Sequence, residues 1–254
     1  MRNGWIEPLS RHAPHRISHP LMRQSWRDLT FLHWSYDPAA VRPLLPPGLD
    51  LDIHDGAAWI GLVPFRIVGL TLPRAPSVPW LSNFAETNLR TYVVDAAGLR
   101  GVWFFSLDAA RLAAVLGARV RFALPYYWAR MSIERHADSI SYRSRRLRAA
   151  TDIEVGIGEP LTTPSELEIF LTARYRLYAQ RGGRLLKADV EHAPWPLRRA
   201  EPLRVMESLT AAAGLPAPTG TPLGHFADRA DVVVAAPQEV GGFAGHATVK
   251  NWPI

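Results

Sequence analysis

Short apolar runs, alternating or continuous and separated by glycine, proline and aspartate, recur along the whole chain. A period of two is typical of β-strands, because successive side chains of a strand point to opposite faces. The pairs Asp55-Gly56 and Gly182-Gly183 each lie between two such runs and predict hairpin turns. The predicted strands lie at about 26–36, 49–53, 57–68, 84–94, 101–108, 126–135, 139–148, 152–157, 174–180, 184–191 and 232–235.

Helices are few and short in this pattern. Asp37 and Pro38 predict an N-cap and a first helical position, and the helix that they begin ends before Pro46. The other predicted helices lie at 109–117, directly after Pro164, and at 202–213. Many strands, few helices and no internal repeat favour a β-dominated α+β fold, closed into a barrel or a cone-shaped barrel.

Two segments lack a clear period. Residues 1–23 are rich in proline, histidine and arginine, so we predict a flexible arm followed by a single domain over 24–254. Residues 72–82 form a proline-rich loop that is long enough to act as a lid or wall of a site.

The segment 84–93 carries the most informative polar pattern. Alternation places Glu86, Asn88 and Arg90 on one face, between Phe84 and Tyr92. Such a stripe is either a solvated sheet face or a polar lining inside a barrel. In the second case, Glu86 would act as an acid or base and Arg90 would hold a carboxylate in a bidentate pair.

The next predicted strand ends in polar residues. Alternation places Ser106 and Asp108 on the face of Phe104, so we expect the polar end of this strand at the rim of a cavity. The plainer role for Asp108 is the N-cap of the helix at 109–117. In the arginine-rich run that follows His136, Arg146 is the arginine that we expect to point inward.

Composition excludes several classes of protein. The 254 residues contain no cysteine, which rules out disulfide scaffolds, cysteine-ligated zinc and cysteine nucleophiles. The net charge of +6 comes from 27 arginines and only two lysines, Lys187 and Lys250. The arginines are spread along the chain, so we expect no nucleic-acid partner.

No apolar stretch approaches the length of about 20 residues that a membrane-spanning helix needs, and the N-terminus lacks a signal sequence. We therefore expect a cytoplasmic protein. No nucleotide-binding or zinc-protease motif occurs, and no cofactor or metal is predicted. The spacing of His12, His15 and His19 would suit a metal, but prolines interrupt the helix that such a site needs.

Several motifs in succession resemble the YqjF-like bacterial family of unknown function. They are Leu44–Leu49, Asp55–Phe65, Phe84–Val93, Gly101–Asp108, Leu124–Tyr126, Thr172–Tyr178 and His192–Leu197. The resemblance covers about residues 25–250. It implies an acetoacetate decarboxylase-like fold, which is a cone-shaped mixed β-barrel around a buried cavity.

The resemblance also implies a site. Glu86 resembles the strand glutamate of acetoacetate decarboxylases, and Arg119 lies in the segment that resembles their conserved turn. Tyr126 stands where those enzymes have the lysine that forms a Schiff base with the substrate. A phenol cannot replace that amine, so the resemblance implies the cavity but not the family's reaction. Lys187 and Lys250 are not expected to take over the role.

We therefore predict a barrel that binds a small anionic carbonyl or carboxylate compound, with lyase or proton-transfer chemistry that needs no lysine. The alternative is a non-catalytic carrier or sensor of a small ligand, and the oligomeric state is left open. The predicted catalytic residues are Glu86, Arg90 and Tyr126, and the predicted ligand-binding residues are Arg119, Ser106, Asn88 and Arg146.

Overall fold

The computed structural model describes residues 5–72, 82–111 and 122–241, and β-strands dominate these ranges. The strands within them are β1 (Met22–Tyr36), β2 (Leu49–Leu51), β3 (Ala58–Thr71), β4 (Phe84–Asp95), β5 (Arg100–Ala109), β6 (Tyr126–Trp128), β7 (Arg130–Arg135), β8 (Ser139–Arg146), β9 (Ala149–Pro160), β10 (Arg176–Arg181), β11 (Arg184–His192), β12 (Leu197–Glu207), β13 (Leu223–Val234) and β14 (Gln238–Glu239). The predicted β-dominated barrel is confirmed.

The helices of the described ranges are short. They are α1 (Pro38–Val41), which continues into a 3-10 turn (Arg42–Leu44), α2 (Glu166–Thr172) and α3 (Leu209–Ala212). Asp37 caps α1 by accepting a hydrogen bond from the backbone N–H of Ala39, as its sequence predicts. In α2, Ser165 and Glu168 form a capping box, so both backbone N–H groups at this helix start have partners.

The prediction of a helix over 202–213 is wrong. Residues 202–207 belong to β12 and pair with β9, from Pro202 opposite Val155 to Glu207 opposite Thr151. The ladder satisfies the backbone groups that a helix would otherwise have to pair internally, so tertiary pairing overrides the local preference. Only the single turn of α3 remains helical.

Seven strands form a closed ring in the order β11, β10, β5, β4, β3, β1 and β13. Pairing between β11 and β13 closes this ring, with Val190 opposite Val234 and His192 opposite Val232. Most neighbours in the ring are antiparallel, but β10 pairs with β5 in parallel, so the barrel is mixed. Closure leaves these strands without a free edge over the paired stretch.

The sheet forks at β13. The end of this strand pairs with β11 to close the ring, whereas a stretch near its beginning pairs with β12, with Leu197 opposite Ala227. Beyond β12 the sheet continues through β9 and β8 to β7 and covers a second apolar core, which includes Leu62, Ile140, Ile153 and Phe226. The ring and its branch therefore enclose separate interiors.

A β-bulge in β5 changes which of its side chains face the inside of the ring. The extra residue is Phe105, since Ser106 and Phe104 pair with consecutive residues of β4. Phe104 and Leu107 therefore face the interior, whereas Ser106 and Asp108 face away from it. The prediction that Ser106 and Asp108 share the face of Phe104 is wrong for this reason.

Residues 5–21 carry no regular secondary structure, but they are tied to the ring. A carboxylate oxygen of Glu7 lies 2.6 Å from Nη1 of Arg176, and the backbone N–H of Ile17 donates to Glu191 at 2.6 Å. The division into an arm and one domain stays a prediction. In the described part of the chain, no helix has the length and apolarity to span a bilayer.

Two predicted segments lie largely outside the described residues. They are the proline-rich loop at 72–82, of which 73–81 are not described, and the helix at 109–117, of which 112–117 are not described.

Candidate functional site

The interior of the ring holds a cavity of about 890 Å³. Every strand of the ring contributes to its wall, and most of the lining side chains are apolar. The volume lies near the upper end of the range for small-molecule sites. Apolar lining residues include Trp26, Leu29 and Phe31 of β1, Val63, Phe65 and Ile67 of β3, Phe104 and Leu107 of β5, and Trp195 after β11.

The polar stripe of β4 faces this cavity. Glu86, Asn88 and Arg90 are only 3%, 5% and 8% exposed, and all three line the cavity wall. Of the two orientations that the sequence left open, the structure has the inward one. Among the described residues, the carbonyl oxygen of the Asn88 side chain has no hydrogen-bond partner, although it is buried.

Glu86 is paired with Tyr126. The phenol of Tyr126 donates a hydrogen bond of 2.8 Å to Oε2 of Glu86. Burial raises the pKa of Glu86 to about 8, the hydrogen bond from Tyr126 lowers it in part, and the charge of Asp108 raises it further. At neutral pH, Glu86 is therefore a protonated carboxylic acid, with a pKa well suited to proton transfer.

Tyr126 remains a phenol in this setting. Burial is the main cause that raises the pKa of Tyr126 well above 10, and the adjacent Glu86 adds to it. A phenol with a raised pKa is a hydrogen-bond donor rather than a base. Its contact is to Oε2 of Glu86, so one of the two carboxyl oxygens of Glu86 is held by the phenol.

Arg90 is a buried cation without a carboxylate partner in the described part of the chain. Its Nη2 donates long hydrogen bonds to the phenol oxygen of Tyr92 at 3.4 Å and to the carbonyl oxygen of Leu171 at 3.3 Å. Its Nε has no hydrogen-bond partner among the residues that the structure describes, and its guanidinium lies 5.4 Å from the ring centre of Phe31. Neutral partners do not neutralise a buried charge, so this site is electrostatically incomplete.

A network around Tyr92 fixes the position of Arg90. Tyr92 donates to the carbonyl oxygen of Leu171 at 2.6 Å, so its oxygen accepts from Nε2 of His33, also at 2.6 Å. Burial, followed by the charge of Arg90, lowers the pKa of His33 well below 6.5, so this imidazole stays neutral. The end of α2, which supplies the carbonyl of Leu171, thus helps to hold Arg90.

Two further arginines reach the same cavity and were missed from the sequence. Arg174 pairs with Asp52 at 2.8 Å, and Arg176 pairs with Glu7 at 2.6 Å. Their spacing of two in the strand-like run that begins at 174 was the signal that they share a face. Arg176 has Glu7 and Asp189 beside it, and Arg174 shares Asp52 with Arg100. Among these three cavity arginines, Arg90 is the one with no carboxylate within ion-pair distance in the described part of the chain.

His192 was also missed as a site residue. Its Nδ1 donates to the carbonyl oxygen of Ala193 at 2.7 Å, and its ring lies 4.5 Å from that of Trp195. Burial lowers the pKa of His192 to about 4, so it is neutral at physiological pH. His192 and Gln24 line both the cavity and an open depression outside the ring.

The other predicted site residues lie elsewhere. Nε of Arg146 forms an ion pair with the buried Asp108 at 2.8 Å, and its guanidinium stacks on the ring of Tyr127. The hydroxyl of Ser144 also donates a hydrogen bond to Asp108. Asp108 thus lies within β5 and holds a buried ion pair, so the N-cap prediction is wrong. Ser106 is buried on the same outward face, and the structure does not bring Ser106 or Arg146 to the cavity wall.

Arg119 lies outside the described residues. Of the lysines, Lys187 is on the face of β11 opposite to Val190 and His192, and Lys250 is outside the described residues. The described ranges contain no group of three potential metal-ligating side chains.

Comparisons of the sequence with known proteins identify the family that the chain matches. The family model DUF2071, described as an uncharacterized conserved protein, matches residues 23–231. The uncharacterized protein YqjF of Bacillus subtilis (strain 168) is 39% identical over 218 residues, which cover 84% of this chain and 90% of that protein.

Solved structures share the fold at much lower identity. The enduracididine biosynthesis enzyme MppR, complexed with pyruvate, has a TM-score of 0.63 at 14% identity, and the match covers 89% of this chain and 92% of that one. An acetoacetate decarboxylase from Legionella pneumophila has a TM-score of 0.63 at 14% identity, with 94% of both chains covered. The predicted acetoacetate decarboxylase-like fold is confirmed.

Proposed function

We propose that this chain, which belongs to the DUF2071 family of uncharacterized conserved proteins and has an acetoacetate decarboxylase-like fold, binds a small anionic carbonyl or carboxylate compound inside its barrel. The observation that carries the proposal is Arg90, which is a buried guanidinium on an apolar cavity wall with no carboxylate partner among the described residues. A ligand carboxylate would supply the missing charge through a bidentate pair.

Glu86 gives the same cavity a means of proton transfer. A carboxylic acid with a pKa near 8 donates a proton readily at neutral pH, and its carboxylate form takes one back. Tyr126 keeps Glu86 in place through the hydrogen bond to Oε2. This chemistry suits an oxo acid, whose carbonyl oxygen accepts a proton and whose neighbouring carbon exchanges one, and it needs no lysine.

The test combines binding with hydrogen exchange. An oxo-acid panel of increasing length is titrated by calorimetry, and exchange next to the carbonyl is followed in D₂O by NMR. We include pyruvate because MppR was solved in complex with it. We expect Arg90→Gln to weaken carboxylate binding about tenfold or more, whereas Arg145→Gln, on an exposed part of β8, leaves it unchanged.

The variant Glu86→Gln distinguishes the hypothesis of an enzyme from that of a carrier. If Glu86 transfers the proton, the variant keeps its affinity for the acid but loses exchange by a factor of about 100 or more. If the wild-type protein binds an acid and exchanges no proton, the protein is a carrier or sensor. If no acid of the panel binds, the proposal fails.

A further inference from the structure

The spacing of Glu86 and Arg90 limits the shape of a ligand that reaches both. The two residues lie four positions apart on β4, which pairs with β3 without interruption from Phe84 to Thr91. An extended strand rises about 3.3 Å per residue, so about 13 Å separates their Cα atoms. Both side chains face the same cavity.

Neither side chain closes this gap. Arg90 is hydrogen-bonded to Leu171 and to Tyr92, which lies two residues farther along β4 from Glu86. Glu86 is hydrogen-bonded to Tyr126 instead. Burial, Tyr126 and Asp108 set the pKa of Glu86, whereas the charge of Arg90 acts on His33 and His192. The two groups therefore mark separate places in the cavity.

The wall between them is mainly apolar. Asn88 lies halfway along β4, and its direct neighbours across the sheet are Val63 of β3 and Leu107 of β5. Both neighbours line the cavity on the same face as Asn88. An apolar stretch of ligand would bury against Val63 and Leu107. Asn88 offers one carbonyl oxygen there, which has no hydrogen-bond partner within the described ranges.

Building on the proposed function, we infer that the ligand is an elongated oxo acid whose carboxylate pairs with Arg90 and whose carbonyl oxygen, separated from it by an apolar stretch, meets Glu86. The backbone from Glu86 to Arg90 contains twelve covalent bonds, so an extended carbon chain of similar length would span the same distance. The contacts of the ligand with Glu86 and Arg90 take up part of that distance. The apolar stretch is therefore about six to ten carbon atoms long.

A short oxo acid does not fit both ends. When one or two carbons separate the carboxylate from the carbonyl, a molecule held by Arg90 leaves Glu86 without a partner. It also leaves the wall at Val63 and Leu107 uncovered. The volume of about 890 Å³ exceeds what such a molecule fills.

The experiment compares two isomers of equal mass and equal apolar content, 4-oxodecanoate and 8-oxodecanoate, together with the short acid 4-oxopentanoate. Calorimetric titration at pH 7 measures each affinity. We expect 8-oxodecanoate to bind about tenfold more tightly than 4-oxodecanoate, which corresponds to one additional buried hydrogen bond. We expect 4-oxopentanoate to bind most weakly.

Variants assign the difference to the two ends. Glu86→Leu is expected to remove the preference for 8-oxodecanoate and to leave the affinity for 4-oxodecanoate unchanged. Arg90→Gln is expected to weaken the binding of both isomers equally. Arg145→Gln is expected to weaken the binding of neither isomer. If Glu86→Leu does not fold, the comparison of the isomers on the wild-type protein still decides.

The failure of this inference differs from the failure of the proposed function. If 4-oxodecanoate or 4-oxopentanoate binds as tightly as 8-oxodecanoate, and does so through Arg90, the elongated ligand is refuted while the proposed function stands. If none of the three acids binds to the wild-type protein, the elongated ligand is refuted, and the proposed function fails with it only if pyruvate and the other acids of the panel do not bind either.

Discussion

Glu86 illustrates how position alone changes the chemistry of a side chain. The same carboxyl group on an exposed strand would be ionised at neutral pH, but 3% exposure and the nearby Asp108 keep it protonated. Tyr126 opposes this effect in part, since its hydrogen bond favours the ionised form. The balance leaves a pKa of about 8, so the group changes charge close to physiological pH.

This raised pKa gives the stability of the protein a measurable pH dependence. Between its ordinary value of 4.5 and about 8, Glu86 keeps a proton in the folded state that it loses in the unfolded state. The free energy of unfolding should therefore fall, as pH rises through this window, by about 1.4 kcal/mol per pH unit from this group. Glu86→Gln cannot ionise and should lack this contribution to the slope.

Urea denaturation at pH 5, 6, 7 and 8 measures the effect, with the exposed Glu159→Gln as the matched control. The free energy of unfolding of Glu86→Gln should rise relative to that of the wild-type protein as the pH increases to about 8. Parallel pH profiles for the two proteins would show that Glu86 is not desolvated.

Most elements follow from local pattern, and the exceptions have physical causes. Alternation predicts β4 and the shared face of Glu86, Asn88 and Arg90, because nothing interrupts that strand. Alternation fails in β5, where the bulge at Phe105 turns Ser106 outward, and a bulge depends on strand pairing that one segment does not reveal.

Longer-range pairing explains the other errors. β12 was predicted as part of a helix because its partner β9 is distant in sequence. Only the last residues of β13 were predicted as a strand, whereas the observed strand begins at Leu223 and pairs with both β1 and β12. Arg174 was missed as a site residue because its place in the cavity depends on how the elements around it assemble.

The contribution of the α2 cap to the stability of the protein can be measured directly. Ser165 accepts from the N–H of Glu168, and Glu168 accepts from the N–H of Ser165. Ser165→Ala removes half of this box and should lower the free energy of unfolding by about 1 kcal/mol. Thr163→Ala, in the exposed loop just before, is the control. A loss of equal size in both variants in urea denaturation would argue against the cap.

At the scale of the molecule, the closed ring is what creates the cavity. Each strand of the ring contributes inward side chains to the cavity wall, so Glu86 and Arg90 owe their burial to the pairing of the strands around them. Many of the arginines behind the net charge of +6 form ion pairs, such as Arg135 with Asp28 and Asp228. That nucleic acid is not a partner stays a prediction.

Proline in β13 should open the ring. Val233 lies opposite Arg23 on β1 and Glu191 on β11, so Val233→Pro removes a ladder hydrogen bond between two occupied edges. We expect a loss of about 2 kcal/mol or more in unfolding free energy, together with a loss of oxo-acid binding. Leu147→Pro, in the exposed turn between β8 and β9, should change neither the free energy of unfolding nor oxo-acid binding. Intact binding by Val233→Pro would show that closure is not needed.

The pairing of β1 with β13 also affects how the protein folds during its synthesis. About 200 residues separate Thr30 from its partner Phe226, so the first strand of the barrel must wait for one of the last. During synthesis on the ribosome, the edge of β1 that pairs with β13 has no partner until β13 has emerged. Such distant pairing slows folding and favours aggregation of nascent chains. The wall of the cavity is thus complete only after β13 has been synthesised and has paired with β1 and β11.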